Sequence, residues 1–362
     1  MYNIRTYNAI SSKGLDRFST DSYTVSEDCA APEGFILRSQ KLHGEPVPAS
    51  LLAVARAGAG VNNIPVADYT QQGVVVFNTP GANANAVKEL IVAGLLLGSR
   101  DIFGGMSYVQ GLGHMNDPAE MGKHLEKEKK RFAGTEIAGK TLGVVGLGAI
   151  GSIIANLALD LGMVVIGYDP AISVEAAWQL SSRVKRMDSL EALLADVDFL
   201  TLHVPAIPAT KHLINTRTLS GMKSTAKILN FAREEIVCTQ AMVAALDKGV
   251  IAGYISDFPA PALLGRKDVL LMPHIGASTE EAEENCAIMA ANQLMDFLEN
   301  GNIHNSVNYP RTKMGRNVGT RITFSNNNVP KVLGSVLSIL ADEGLNVVDM
   351  VNKSRGEIAY NI

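Results

Sequence analysis

Three glycines near the middle of the chain have the spacing of a dinucleotide-binding turn. Gly146, Gly148 and Gly151 follow the apolar segment Thr141–Val145 in the pattern G-x-G-x-x-G. In such a site the first glycine permits a tight turn, the second lets the backbone approach a pyrophosphate, and the third lets the next helix pack closely. The pyrophosphate lies over the helix N-terminus, where free N–H groups and the helix dipole favour an anion. The spacing therefore predicts a phosphate-binding turn between a strand and a helix.

An acidic residue follows at the distance that such a site requires. The predicted helix Ile150–Leu161 and the predicted strand Met163–Tyr168 lead to Asp169, which is 18 positions beyond Gly151. An acid about 20 residues after the glycines accepts a hydrogen bond from the ribose 2′-hydroxyl. The same carboxylate repels a 2′-phosphate, so the sequence predicts NAD rather than NADP as the cofactor.

Other polar residues come directly after predicted strands. Arg233 and His274, like His203 and Asp257, hold such positions, and ligands of open α/β sheets bind beyond the carboxyl ends of the strands. An arginine can bind a carboxylate through two parallel hydrogen bonds and polarise a neighbouring ketone. A histidine exchanges a proton near neutral pH, and Asp257 could accept a hydrogen bond from the nicotinamide amide. The set suits hydride exchange between NAD and a 2-keto or 2-hydroxy acid.

The elements that must position these residues alternate between strands and helices, which predicts an α/β fold with parallel sheets. A single long apolar helix is predicted over Ala82–Phe103, followed by a glycine-rich loop over 104–117. Short strands are predicted in the first 80 residues at Tyr2–Tyr7, Phe35–Leu37, Leu51–Ala55 and Val74–Phe77.

The last third of the chain begins with a helix signal. Ser278–Glu281 has the pattern of a capping box and predicts a helix that runs to about Glu299. Beyond a polar linker, the pattern predicts a strand, a helix over Pro330–Glu343, a strand over Leu345–Val351 and a further strand from Ile358.

The composition excludes several classes of function. The 362 residues include 32 basic and 36 acidic side chains, a net charge of −4, so nucleic acid is not an expected partner. Cys29, Cys238 and Cys286 are widely spaced, which predicts neither a disulfide framework nor a metal site. The longest apolar run, Leu90–Leu97, is too short to span a bilayer, and no signal-peptide pattern is present. We therefore expect a cytoplasmic protein without membrane association.

Six segments together resemble the D-isomer-specific 2-hydroxyacid dehydrogenases. They are Ala55–Asn62, Asn78–Asn83, Gly143–Gly151, Leu202–Pro205, Asn230–Arg233 and Pro273–Thr279. The resemblance implies a Rossmann-type NAD-binding domain over 85–276, inserted in a smaller flavodoxin-like substrate-binding domain formed by 1–84 and 277–308, with a linker at 309–320.

The resemblance also implies roles for individual residues. Arg233 would bind and polarise the substrate, and His274 would be the acid/base. The residues that would line the NAD site are Gly146, Gly148, Ala149, Ile150, Gly151, Asp169, His203, Val204, Pro205, Phe231, Ala232 and Asp257. The residues that would face the substrate, a phosphorylated 2-hydroxy or 2-keto acid, are Arg38, Ser39, Ala59, Gly60, Val61 and Asn83.

The tail, residues 321–362, resembles the first half of an ACT domain, a small α+β regulatory module. Asn328 and Asn346 match its effector-binding asparagines, which implies L-serine as an effector. The family further implies a homodimer or homotetramer.

One departure from the family pattern concerns the proton-transfer residue. The family pairs its histidine with a glutamate in the loop after Asp257, whereas the loop 258–265 contains no carboxylate and Ala262 holds the expected position. A histidine without this partner is a poorer acid at neutral pH, so we expect reductase activity with an optimum at lower pH. Glu234 is an alternative partner. A hydroxypyruvate or glyoxylate reductase, or an NAD(H)-sensing protein with weak turnover, are alternative functions.

Overall fold

The computed structural model describes residues 1–362, apart from the side chain of Glu175. The chain divides into two compact units, of which one contains Met1–Asn83 and Thr279–Ile362 and the other Ala84–Ser278. The boundaries between the units fall after residues 83 and 278, whereas the boundaries predicted from the sequence fall after residues 84 and 276.

The first unit begins with a parallel sheet. Its five strands lie in the order β2-β1-β3-β4-β5, the order of flavodoxin-like sheets. All residues of Gly34–Leu37 are buried, as expected for a strand covered on both faces. The elements are β1 (Tyr2–Tyr7), α1 (Ser12–Leu15), β2 (Tyr23–Ser26), β3 (Gly34–Leu37), β4 (Ala53–Arg56), α2 (Val66–Gln71) and β5 (Val75–Phe77).

The second unit contains a seven-stranded parallel sheet in the order β12-β11-β10-β9-β6-β7-β8. This is the doubly wound order of dinucleotide-binding folds with one added strand, and it confirms the predicted fold class. The elements are α3 (Ala84–Ser99), α4 (Ile102–Gln110), α5 (Pro118–Glu128), β6 (Thr141–Val145), α6 (Ala149–Asp160), β7 (Val164–Tyr168), α7 (Val174–Gln179), β8 (Lys185–Arg186), α8 (Leu190–Asp196), β9 (Phe199–Leu202), α9 (Thr216–Leu219), β10 (Lys227–Asn230), α10 (Thr239–Asp247), β11 (Gly253–Ser256) and β12 (Val269–Leu271). Single 3₁₀ turns occur at Lys129–Phe132, Glu234–Ile236 and Pro261–Leu263.

The prediction of one helix over 82–103 and a loop over 104–117 is wrong. The Asp101 side chain accepts the N–H of Gly104 at 2.8 Å and so caps a second helix, α4. A capping aspartate offers the backbone an alternative to a continuous helix, and the two helices meet at 74°. In the described part of the chain no single helix is long and apolar enough to cross a membrane, and only this bent pair passes by length and composition.

The chain returns to the first unit through α11 (Glu280–Asn300). The predicted cap at Ser278 is wrong, because Thr279 Oγ1 accepts the N–H of Ala282 at 3.1 Å and is the N-cap. The helix ends at Gly301, whose φ of +68° favours glycine.

The tail forms a three-stranded antiparallel sheet in the order β13-β15-β14. Its elements are β13 (Phe324–Asn327), α12 (Val332–Asp342), β14 (Asn352–Arg355) and β15 (Ile358–Asn361). The predicted strand over Leu345–Val351 is wrong. The turn at Gly356, with φ +57°, pairs Arg355 with Ile358, so the strand opposite β15 is Asn352–Arg355. Tyr360 Oη donates to Gly301 O at 2.7 Å and fixes the sheet to the end of α11.

Candidate functional site

The glycine turn between β6 and α6 is shaped by close backbone contacts. Gly146 has a φ of +88°, and a Cβ there would lie 2.6 Å from His203 O. A Cβ on Gly151 would lie 1.9 Å from Gly146 O, so only glycine permits this approach. By contrast, the space around a Cβ at Gly148, the N-cap of α6, is open. The turn thus leaves room for an anion over the start of α6, beside Ala149 and Ile150.

Asp169 is held at the end of β7 by backbone hydrogen bonds. Its Oδ2 accepts the N–H of Leu147 at 2.8 Å, and its Oδ1 accepts the N–H of Ala171 at 2.9 Å. The carboxylate therefore lies beside the glycine turn with its orientation fixed, as ribose binding requires.

The end of β9 supports the same turn. His203 donates its N–H to Val145 O at 2.7 Å, and its Nε2 lies 2.9 Å from Thr201 Oγ1. Burial lowers the pKa of the His203 imidazole well below its usual value, so the ring is neutral. Val204 is half-buried and Pro205 is exposed.

The turn after β10 is organised by a buried asparagine. Asn230 is fully buried, its Oδ1 accepts the N–H of Ala232 at 3.2 Å, and its Nδ2 donates to Arg233 O at 2.9 Å. Arg233 Nη1 donates to Ala232 O at 2.6 Å, and the side chain is half-buried. The Phe231 ring lies in the core against Gly94, so only its backbone is available to a ligand.

Asp257 and His274 meet at the ends of β11 and β12. Asp257 O accepts the N–H of His274 at 2.9 Å, and its Oδ2 accepts the N–H of Gly276 at 3.3 Å. Burial raises the pKa of the Asp257 carboxyl, and the positive charges of His274 and Arg233 oppose this shift. His274 has a φ of +27°, which is unusual for a residue with a side chain, and its ring lies 4.8 Å from that of Phe258.

The atoms at this edge of the sheet fit a nicotinamide dinucleotide. Asp257 Oδ1 is buried and has no hydrogen-bond partner among the described residues, and such an acceptor calls for a donor from a ligand. The carboxamide of a nicotinamide would supply that donor, and the open space at Gly148 suits a pyrophosphate.

The loop after Asp257 offers His274 no acidic partner. Ala262 is exposed in the 3₁₀ turn Pro261–Leu263, and Glu234 is exposed beyond the turn after β10. Within the described part of the chain, no carboxylate hydrogen-bonds to the His274 ring, and no cluster of three His, Cys, Asp or Glu residues could hold a metal ion.

In the first unit, the predicted substrate residues follow β3 and β4. Arg38 Nη1 lies 2.5 Å from Glu283 Oε1, and the N–H groups of Ser39 and Gln40 donate to Asn8 Oδ1 at 3.1 and 2.7 Å. Arg56 Nε donates to Arg38 O at 3.1 Å.

The turn containing Ala59, Gly60 and Val61 is held by hydrogen bonds to residues that follow β5. Asn78 Nδ2 donates to Ala59 O at 2.6 Å, and Thr79 Oγ1 accepts the N–H of Gly58 at 2.7 Å. Gly60 and Val61 are half-buried.

Asn83 Oδ1 is a second buried acceptor without a partner among the described residues. Sequence reasoning missed the residues that support this region: Asn8, Thr79 and Glu283. Only Asn8 carries a local signal, since asparagine is favoured at positive φ and its φ is +66°.

The two predicted effector residues differ in their surroundings. Asn328 is exposed and donates through Nδ2 to Gly356 O at 3.2 Å. Asn346 lines a cavity of about 340 Å³ between α12 and the segment 314–322, whereas Asn328 does not.

Comparisons with known proteins give one family. The sequence model of the D-isomer specific 2-hydroxyacid dehydrogenase NAD-binding domain matches residues 106–276. The D-3-phosphoglycerate dehydrogenase of Haemophilus influenzae is 32% identical over 323 residues, which cover 86% of this chain and 74% of that protein. The D-3-phosphoglycerate dehydrogenase of Synechocystis is 40% identical over 266 residues, which cover 72% of this chain and 45% of that protein.

A solved structure agrees with these relatives. The NAD⁺-bound 3-phosphoglycerate dehydrogenase of Entamoeba histolytica is 25% identical with a TM-score of 0.66, and the match covers 85% of this chain and 98% of that one. The chain spans about half the length of several curated relatives that it matches, with values of 45%, 56% and 51%.

Proposed function

The chain belongs to the D-isomer-specific 2-hydroxyacid dehydrogenase family, and we propose that it oxidises D-3-phosphoglycerate to 3-phosphohydroxypyruvate, and catalyses the reverse reduction, for L-serine biosynthesis. Residues 106–276 are the family's NAD-binding domain, and NAD is the cofactor. The observation that carries the proposal is that Arg233, Asp257 and His274 follow three adjacent strands, with the His274 N–H donated to Asp257 O and the positive charges of His274 and Arg233 acting on the Asp257 carboxyl.

In the proposed mechanism Arg233 binds the substrate carboxylate and polarises the C2 oxygen. Its guanidinium is presented by a turn that buried hydrogen bonds hold in place, so little reorganisation is needed when charge develops on that oxygen. His274 Nε2 or Nδ1 takes the proton of the hydroxyl during oxidation and returns it during reduction. The bound nicotinamide supplies the hydride acceptor or donor.

Asp257 has a positioning role in this proposal. Its Oδ1, which has no partner among the described residues, would accept the carboxamide N–H of the nicotinamide, while its backbone carbonyl holds the His274 backbone. One residue thus orients the cofactor ring and fixes the acid/base beside it, which favours a reactive geometry.

The substrate phosphate is assigned to the loop that begins with Arg38 and Ser39. The Ser39 N–H points to Asn8, so the guanidinium of Arg38 is the group of this loop best suited to a dianion. The backbone of Ala59, Gly60 and Val61 and the Oδ1 of Asn83 complete the proposed set of substrate contacts.

The test is NADH oxidation with 3-phosphohydroxypyruvate, compared with hydroxypyruvate and glyoxylate. We expect the highest kcat/KM with the phosphorylated substrate. A higher kcat/KM with glyoxylate or hydroxypyruvate would instead assign the chain to those reductases.

A second candidate is an NAD(H)-binding protein with weak turnover, which is favoured because no carboxylate in the described part of the chain hydrogen-bonds to the His274 ring. NADH binding is measurable by energy transfer from Trp178, since the chain contains one tryptophan. Tight NADH binding without turnover of any of the three keto acids would support this candidate over the first.

The proposal includes a homodimer or homotetramer in the cytoplasm and L-serine as an effector bound near Asn328 and Asn346. Light scattering and inhibition by L-serine test these two points.

A further inference from the structure

A carboxylate lies against the guanidinium to which the substrate phosphate is assigned. Arg38 Nη1 and Glu283 Oε1 are 2.5 Å apart, and both side chains are partly exposed, at 38% and 44%. The guanidinium that would receive the phosphate is therefore already paired with an anion of the chain itself.

The position of Glu283 is set by α11. Thr279 caps this helix, and Ala282 and Cys286, on either side of Glu283, are buried. The neighbouring Glu284 pairs with Lys13 of α1 at 2.7 Å. Glu283 therefore projects from a fixed first turn, and Arg38 is the partner within its reach.

The charges around Arg38 form one cluster. Burial raises the pKa of the Cys286 thiol, the positive charges of Arg38 and Arg56 lower it, and the negative charge of Glu283 raises it again. Arg56 Nε donates to Arg38 O at 3.1 Å, so a second guanidinium lies beside the residue to which the phosphate is assigned.

The carboxylate opposes ligands according to their charge. A phosphate group carries about −1.5 to −2 at neutral pH, whereas the hydroxymethyl group of hydroxypyruvate at the same position carries none. A partly exposed ion pair is itself weak and can be displaced. After displacement, Glu283 remains close to the phosphate and repels it, because like charges in contact disfavour binding.

We propose that Glu283 is the specificity-determining residue of the Arg38 subsite, where it weakens binding of phosphorylated 2-keto acids relative to unphosphorylated ones. The inference rests on the proposed function. It adds that the negative charge of Glu283 limits the preference of the chain for the phosphorylated substrate.

The test compares the wild-type chain with Glu283→Gln and with Glu284→Gln as the matched control on the same helical turn. Glutamine keeps the size of the side chain and one acceptor oxygen, removes the charge and replaces the second oxygen by an NH2 donor. For Glu283→Gln we expect KM for 3-phosphohydroxypyruvate to fall about tenfold with kcat nearly unchanged. The KM for hydroxypyruvate should change less than about threefold. Glu284→Gln should leave the ratio of the two KM values unchanged.

Binding without turnover gives an independent measurement. The NADH complexes of the wild type and of Glu283→Gln are titrated calorimetrically with D-3-phosphoglycerate and with D-glycerate. We expect the variant to bind D-3-phosphoglycerate about tenfold more tightly than the wild type does, and D-glycerate equally well. Equal changes for both acids, or weaker binding of the phosphorylated one, would overturn the inference. Absence of turnover in every variant, with the binding difference intact, would overturn the proposed function and leave the role of Glu283 supported.

Discussion

The turn after β10 and the loop after β11 carry the two halves of the proposed chemistry, and they are built differently. In the turn, fully buried Asn230 binds the backbone on both sides of Ala232 and also reaches Tyr254 Oη at 3.3 Å. In the loop, Ser256 Oγ accepts the N–H of Phe258 at 3.0 Å at its root. Beyond that root the loop is apolar and exposed at Ala262.

The difference separates substrate polarisation from proton transfer. The half that contains Arg233 is held by the buried hydrogen bonds of Asn230. A fully satisfied buried polar network is rigid. The acid/base half has a fixed backbone at His274, but in the described part of the chain no carboxylate hydrogen-bonds to its ring, and Asp257 acts on it through charge alone. In the proposed mechanism, substrate binding and polarisation therefore belong to the half with more buried hydrogen bonds, and proton transfer to the half with fewer.

The largest expected effect on catalysis comes from the turn after β10, which carries Arg233. Arg233→Gln removes the fork of donors that binds the carboxylate and stabilises charge on the C2 oxygen, so kcat/KM should fall about a thousandfold. Arg217→Gln is the matched control, since Arg217 forms only an exposed ion pair with Glu191 at 3.1 Å. Steady-state kinetics measure the effect. A loss of less than tenfold would mean that another cation performs this role.

The supports of Arg233 give the next effect. Asn230→Ala removes the hydrogen bonds that hold the turn but retains Arg233 itself. We expect kcat to fall about tenfold because the guanidinium is then less well positioned. The NADH dissociation constant should stay close to the wild-type value.

Asn156→Ala is the control for Asn230→Ala, since Asn156 also clamps a loop, through Gln179 O at 2.7 Å and the N–H of Ser181 at 2.9 Å. Both variants should lose about 1–2 kcal/mol of unfolding free energy, but only the first should lose kcat. An equal loss of kcat in both would reduce Asn230 to a general structural residue.

The loop after β11 is tested by introducing a carboxylate as a partner for His274. Ala262→Glu places a carboxylate at the position where the family pattern has its glutamate, and within reach of His274 it would stabilise the protonated ring that reduction needs. We expect the activity to extend about one pH unit higher. Leu264→Glu, at a position that is 63% exposed, puts the same charge on the same loop as a control. An unchanged pH profile in Ala262→Glu would refute the idea that a missing carboxylate limits protonation.

The parts of this site that follow from sequence are those fixed by local spacing. Gly146 must adopt positive φ to leave β6 and start α6, and that need appears in the sequence as a glycine. Arg233, Asp257 and His274 could be assigned to one edge because parallel strands bring their carboxyl ends together.

The parts that could not be predicted depend on contacts between distant segments. Glu283 meets Arg38 only because α11 packs against the first sheet, and Thr79 binds Gly58 across the ends of two strands. The break between α3 and α4 depends on whether Asp101 caps a new helix or lies on the surface of a longer one, a choice that the apolar pattern does not express.

The smallest expected effect concerns the carboxylate that the two halves share. Burial raises the pKa of Asp257, and His274, the Gly276 N–H and Arg233 offset part of that shift. Because the folded-state pKa lies above the unfolded one, folding favours the protonated carboxyl. Its contribution to stability is present below the unfolded pKa and is lost as the pH rises through the folded pKa.

Asparagine at this position does not titrate, so the unfolding free energy of Asp257→Asn minus that of the wild type should increase between pH 4 and pH 7. Each unit by which the pKa is raised contributes about 1.4 kcal/mol to the increase. Urea unfolding at the two pH values measures it, with Asn156→Ala, which changes no titratable group and leaves the supports of Arg233 intact, as the pH-independent reference. A difference that stays constant or shrinks would show that the cations of Arg233 and His274 fully compensate the buried charge. The two halves would then be linked by an ion cluster rather than by a strained carboxylate.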